Sequence, residues 1–244
     1  MTFPPHNDPN DPKIAVVTGA SSGIGEATAR ALAADGWTVI VAARRTEPLE
    51  ALAEEINGIA IPLDVTNEES VANFAQQIPI CHLLVNNAGG AKGLDPIAET
   101  SIEDWEWMYD TNVLGTLRVT KALLDALTKT QGHIINMSSV AGITAYAGGA
   151  GYNAAKFGVT AMNKVMRIEF VERNLRVTEL NPGRVKTDFS LVRFKGDQAK
   201  ADAVYADKLN LSAEDIAETI RWVAQLPPHM NIDRMVITPR DQVI

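Results

Sequence analysis

The strongest constraint on this chain is an alternation. Short apolar runs rich in Val and Ile fall at 13–18, 37–43, 58–63, 80–85, 132–137, 176–180 and 235–238. Longer amphipathic stretches separate them at 23–35, 47–56, 67–77, 102–128, 152–173 and 212–225. A continuous apolar run suits a strand buried on both faces, and a one-sided apolar stripe suits a helix packed on a sheet. Strand followed by helix, repeated this often, predicts a parallel sheet with helices on both sides. Right-handed crossovers then make it doubly wound, a Rossmann-type α/β domain. A length of 244 residues fits one such domain, and no Gly/Ser linker or fixed-period repeat divides 13–244.

Two segments fall outside the alternation. Residues 1–12 carry Pro4, Pro5, Pro9 and Pro12 and no apolar core, so a disordered leader is expected there. Residues 184–210 form a long excursion, of the kind that is usually functional in a compact domain. Helix starts elsewhere are marked: Thr66 or Asn67 can cap the third helix, and Ser212 with Asp215 resembles a capping box for the last.

Composition narrows the partners. The formal net charge of −8 speaks against binding nucleic acid or an anionic membrane. No run reaches the ~18 apolar residues of a membrane helix. Cys81 is the single cysteine, so no intrachain disulfide forms and a reducing, cytoplasmic setting is expected, with Cys81 buried and inert in the 80–85 strand. His6, His82, His133 and His229 show no metal-ligand spacing, so no metal is expected.

After the first strand comes Thr18-Gly19-Ala20-Ser21-Ser22-Gly23-Ile24-Gly25, then a helix. A strand, a tight glycine turn and a helix N-terminus make an anion site, because the backbone can approach a pyrophosphate and the helix amides face it. No Gly-Lys-Ser/Thr follows, which disfavours an ATP-type loop. The second strand ends in Ala43-Arg44-Arg45, with no acid before Glu47. An acid there would hold a ribose 2′-hydroxyl; arginines pair with a 2′-phosphate instead, so NADP(H) is the expected cofactor. Asp64, followed by Val65, either accepts from an adenine amino group or caps the next turn. Asn86-Asn87-Ala88-Gly89 ends the fourth strand, where open α/β sheets bind ligands.

Tyr152 and Lys156 stand four residues apart in a helical stretch and share a face. A tyrosine is too weak an acid for easy proton exchange near neutrality, and an adjacent ammonium lowers its pKa. Ser139, just past the fifth strand, can hold a substrate oxygen beside the phenol. Asn112 interrupts a long helical stretch where a better helix former is expected, and could relay protons through water to the lysine.

In this order these residues resemble the short-chain dehydrogenase/reductase superfamily over about 13–244. The resemblance implies that Tyr152 donates or accepts the proton, that Lys156 tunes it and binds the nicotinamide ribose, and that Ser139, not Ser138, orients the substrate oxygen. Asn112 completes the tetrad. The implied cofactor set adds Gly19, Ser21, Ser22, Gly23, Ile24, Gly25, Arg44, Arg45, Asp64, Val65, Asn87, Ala88 and Gly89. At the nicotinamide end it adds Pro182, Gly183, Val185 and Thr187. A homotetramer or dimer built on the 102–128 and 152–173 helices is implied too, and Trp105, Trp107 and Met108 are expected to serve core or subunit packing.

A narrower similarity, carried by 146–149, 192–197 and 226–232, is to NADP-dependent serine/3-hydroxy acid dehydrogenases. It implies hydride transfer between nicotinamide and the carbinol carbon of L-serine, L-allo-threonine or 3-hydroxypropionate. From 184 to 195, Arg184, Lys186, Arg193 and Lys195 oppose only Asp188, a cationic lid suited to a small carboxylate. Tyr146, Arg184 and Arg193 are the expected substrate contacts beside Ser139 and Tyr152. A broad carbonyl reductase and a non-catalytic NADPH-binding regulator are the alternatives, and the intact Ser139/Tyr152/Lys156 set speaks against the second.

Overall fold

The computed structural model describes residues 12–244, so the expected leader, Pro12 apart, lies outside the described residues. Seven strands form one sheet: β1 (Ile14–Thr18), β2 (Thr38–Ala43), β3 (Ile59–Pro62), β4 (Leu83–Asn86), β5 (His133–Met137), β6 (Arg176–Pro182) and β7 (Arg234–Ile237). Their spatial order is β3-β2-β1-β4-β5-β6-β7, and every pairing is parallel. The order reverses between β1 and β4, which opens a crevice at their carboxyl ends. The doubly wound expectation therefore holds.

Helices α1 (Gly23–Ala34), α2 (Thr46–Glu55), α3 (Glu68–Ala75), α4 (Ile102–Tyr109), α5 (Gly115–Thr130), α6 (Ala150–Glu169), α7 (Phe189–Arg193), α8 (Gln198–Tyr205) and α9 (Ala213–Gln225) connect and flank the strands. Period-two alternation sorts the strand side chains onto two cores. Ala15, Val17, Val39 and Val41 pack with Leu32 of α1, Leu49 of α2 and Ile220 of α9. Ile14, Val16 and Ile40 pack with Phe74 of α3, Leu123 of α5 and Met166 of α6 on the other face.

The caps settle the local alternatives. Asn67, not Thr66, caps α3 by accepting from the Ser70 amide at 2.8 Å. Ser212 and Asp215 form a full capping box on α9.

Three expectations need correction. Residues 102–128 are not one regular helix: Asp110–Leu114 is a π-turn between α4 and α5. Residues 184–210 are not a plain loop but hold α7 and α8, and their two ends are joined by Leu211 N–H to Arg184 C=O and Lys186 N–H to Leu211 C=O. Cys81 lies before β4 rather than opening it; its thiol is fully buried and pushed up to about 12 by desolvation, which leaves it inert as expected.

Candidate active site

The crevice is built first by glycine. Gly19 and Gly23 adopt φ of +65° and +58°, a region that L side chains avoid. A Cβ on Gly25 would lie 2.4 Å from the Gly19 carbonyl oxygen and 2.6 Å from Asn87 Nδ2, so only glycine lets α1 start this close to the β1–β4 switch. Thr18 Oγ1 accepts from the amides of Asn87 and Ala88 at 3.0 and 2.9 Å, while Asn87 Nδ2 donates to the Thr18 carbonyl at 3.0 Å. These bonds lock the two strand ends together.

The amides at the start of α1 carry no side-chain cap, unlike those of α3 and α9. Ser22 is the N-cap residue, yet its hydroxyl accepts from Arg45 Nη2 at 2.7 Å. The free amides and this guanidinium make a cationic rim on the crevice that fits a nucleotide bearing both a pyrophosphate and a 2′-phosphate. Arg45 also donates to Ser21 Oγ, so Ser21, Ser22 and Arg45 form one cluster. Arg44 is exposed near Asp64. Asp64 takes its capping role here, accepting from the Thr66 amide and hydroxyl at 3.0 and 2.7 Å. Burial pushes its carboxyl up, but those bonds with Arg44 and Arg118 outweigh it and hold it below its ordinary value. Val65 packs on Gly115, and its carbonyl accepts from Arg118.

A cavity of about 440 Å³ runs from Gly19, Ser22, Gly23 and Ile24 past Asn87, Ala88 and Gly89 to Ser139, Tyr152 and Lys156. That size lies within the usual range for small-molecule sites. Its far wall is Pro182, Gly183, Val185 and Thr187, continued by residues of α7 and α8. Of the expected cofactor residues, Ser21, Gly25, Arg44, Arg45, Asp64 and Val65 stand outside this lining. Arg45 reaches the crevice through Ser22, which lines it.

Tyr152 and Lys156 occupy successive turns of α6, with Lys156 Nζ 5.7 Å from the Tyr152 ring centroid. Desolvation pulls the buried Lys156 ammonium down to about 8, and Nζ donates to the Met137 carbonyl at 2.8 Å. Burial and Tyr146 push Tyr152 above its ordinary value, and what pulls it back is Arg193 and a hydrogen bond with Ser139. Ser139 Oγ also accepts from the Ala141 amide and reaches the Pro182 carbonyl.

Asn112 sits inside the π-turn. Its Nδ2 donates to the carbonyls of Met108 and Gly90, and its Oδ1 accepts from Gly90 N–H. It thus pins the 87–90 segment; a Cβ on Gly89 would meet Asn112 Oδ1 at 2.5 Å and Lys156 Nζ at 3.6 Å. Trp107 lies against Gly90 under Lys92, and Met108 is buried against Gly151, so both pack behind this segment.

Among the four lid cations, one points at the chemistry. The guanidinium carbon of Arg193 lies 5.3, 5.7 and 5.8 Å from the rings of Tyr152, Tyr146 and Phe189. Its Nη2 donates to Tyr146 Oη at 2.6 Å and its Nε to the Gly93 carbonyl at 3.1 Å. Arg184 lines the cavity, but its side chain is bound to Asp241, Asn210 and the Leu209 carbonyl. Lys195 pairs with Asp104. Sequence reading missed Phe189, whose ring lies 5.5 Å from that of Tyr152, and Gln242, whose Oε1 accepts from the Arg184 amide. The signal for Phe189 was its place in the cationic excursion; nothing marked Gln242.

Residues 13–197 match the short chain dehydrogenase family. The chain belongs to that family. It is an oxidoreductase, and among its relatives is an uncharacterized oxidoreductase of Mycobacterium tuberculosis, 54% identical over 231 residues, covering 94% of this chain and 92% of that one. The NADP-dependent 3-hydroxy acid dehydrogenase of Salmonella typhimurium is 43% identical over 237 residues, covering 94% and 96%. A solved structure described as the closed form of serine dehydrogenase complexed with NADP+ superposes with a TM-score of 0.92 at 39% identity, covering 95% and 96%.

Proposed function

We propose that the chain is an NADP(H)-dependent dehydrogenase of small 3-hydroxy acids of the L-serine, L-allo-threonine and 3-hydroxypropionate type. The observation that carries this reading is Arg193. A guanidinium fixed over Tyr152 at one end of the cavity offers a carboxylate a charged, planar partner. The hydroxyl on the third carbon of the acid then reaches the phenol. The names of the Salmonella relative and of the superposed serine dehydrogenase support the same class.

The cradle fits NADP(H). The 19–25 turn and the α1 amides would hold the pyrophosphate, and Arg44 and Arg45 with Ser21 and Ser22 would hold the 2′-phosphate. Val65, with Asp64 held by Thr66, would stand at the adenine end. Asn87, Ala88, Gly89 and Lys156 would hold the nicotinamide ribose, and Pro182, Gly183, Val185 and Thr187 would line the nicotinamide end of the cavity. When bound, NADP(H) supplies or takes up the hydride. Tyr152 Oη moves the hydroxyl proton, Ser139 Oγ holds the same substrate oxygen, and Arg193 with Tyr146 holds the carboxylate. Tyr146 accepts from Arg193, which leaves its own proton free for the substrate. Phe189 and the α7–α8 lid keep water off the phenol.

The chain works as a homo-oligomer, a tetramer or dimer, in the cytoplasm. Tyr109, Leu117, Phe157, Val165 and Ile168 leave apolar side chains exposed on α4, α5 and α6, which supports a subunit face there. A panel of L-serine, 3-hydroxypropionate and neutral alcohols and ketones, each with NADP(H) and NAD(H), tests the substrate and cofactor together. Higher kcat/KM for the acids with NADP(H) is expected. Preference for neutral ketones would replace this reading with a broad carbonyl reductase.

A further inference from the structure

Glu179, on β6, is 1% exposed, and its carboxylate has two partners. Arg234 Nε on the neighbouring edge strand donates to Oε2 at 2.9 Å, and the Thr160 hydroxyl of α6 donates to Oε1. Only the Glu179 side of this pair is buried, and a carboxylate taken out of water needs both partners to offset its desolvation. Thr160 is one of them. A carboxylate only accepts, so Glu179 draws the Thr160 proton onto itself and leaves the Thr160 oxygen as an acceptor. Ser138 Oγ lies 3.3 Å from that oxygen and 3.3 Å from the Lys156 carbonyl. Gly142 closes the joint: a Cβ there would sit 2.6 Å from Ser138 Oγ and 2.7 Å from the Lys156 carbonyl oxygen.

We propose that Arg234, Glu179, Thr160 and Ser138 form a hydrogen-bond chain, converging on the Glu179 carboxylate from both sides, that positions the Ser139 turn against the Lys156 turn of α6. The chain begins on β7, outside the cavity, and ends on the residue beside Ser139. None of its members lies against the Arg44–Arg45 cluster, so it acts at the Ser139–Lys156 end of the cavity and not on the 2′-phosphate end. Thr160 and Glu179 are positioning residues.

The inference rests on the assignment of Ser139, Tyr152 and Lys156 to the chemistry above, and not on the identity of the substrate. Turnover is therefore read on the best substrate of the panel, whichever class that is. Thr160→Val is expected to lower kcat about tenfold or more. The preference for NADP+ over NAD+ should stay within about twofold, because the arginine end is untouched, and Thr160→Ser should restore kcat, because it returns the hydroxyl alone. Arg234→Met, at the surface end, should also lower kcat, and the double variant should lose less than the product of the two single losses. A Thr160→Val enzyme with unchanged kcat, a Thr160→Ser enzyme that fails to recover, or losses that multiply would each overturn the proposal. A dead Tyr152→Phe enzyme beside an unimpaired Thr160→Val enzyme would sink this inference and leave the catalytic assignment standing.

Discussion

Arg193, on α7, places its guanidinium carbon 5.3 Å from the centre of the Tyr152 ring on α6. Two roles meet in that contact: a partner for a substrate carboxylate, and a positive charge that favours the phenolate. Arg193→Ala should raise KM for 3-hydroxy acids by about 10- to 100-fold, the range for losing a charge-assisted hydrogen bond. Neutral alcohols should show little change in KM. Steady-state kinetics on matched acid and neutral substrates check this, and equal changes for both would remove Arg193 from carboxylate binding.

Tyr152 is buried, and its phenol is held above the ordinary tyrosine value. A buried neutral phenol is an intact proton donor near neutrality, and it needs its cationic neighbours to take the opposite role. Tyr152→Phe keeps the ring that packs on Phe189 and removes only the hydroxyl. Turnover should fall about 10²- to 10⁴-fold or more, the span of general acid–base catalysis, while NADPH binding measured by fluorescence titration is preserved. Retained turnover would refute the assignment.

Arg45 reaches the phosphate turn through Ser21 and Ser22, with Nη2 2.7 Å from Ser22 Oγ. Arg45→Ala should raise the KM for NADP+ about tenfold and leave that for NAD+ nearly unchanged, because only the former carries the 2′-phosphate. The difference between the two enzymes should shrink at high ionic strength, where an exposed phosphate contact is screened. Equal losses for the two nucleotides would place Arg45 in the fold of the turn instead.

The parallel sheet and the chemistry on it were legible because each rests on local signals. Val- and Ile-rich runs with helical spacers dictate the class of sheet, and Tyr152 and Lys156 announce themselves by an i, i+4 spacing. Asn112 was visible as a poor helix former, but the π-turn it stabilises was not, since that depends on Gly90 arriving from another loop. The lid was legible as charge and illegible as geometry. Arg184 and Arg193 look alike in sequence; Asp241 and the Leu209 carbonyl claim the first, while Tyr146 and Gly93 turn the second onto Tyr152. Gln242 enters through a contact with a residue far back in the chain, Arg184, which no local pattern encodes.

His133 lies at the opposite end of the sheet from this chemistry, and its burial predicts a loss of stability in acid. It is 2% exposed; Nε2 is 2.8 Å from Thr178 Oγ1, and Nδ1 has no hydrogen-bond partner among the described residues. Burial, with Arg176 nearby, pulls the imidazole down to about 3 from an ordinary 6.5. The folded value is depressed, so below the ordinary value the unfolded chain binds a proton that the folded chain refuses. Stability is therefore lost as pH falls from about 6.5 toward 3. By about pH 5 the loss should approach ~2 kcal/mol, because each pH step of one below the ordinary value costs about 1.4 kcal/mol. His133→Asn keeps a hydrogen-bonding group for Thr178, able to donate or accept, without a titrating ring, so its urea-melt stability should fall less over the same interval. Parallel pH curves for the two proteins would show that the acid sensitivity resides elsewhere.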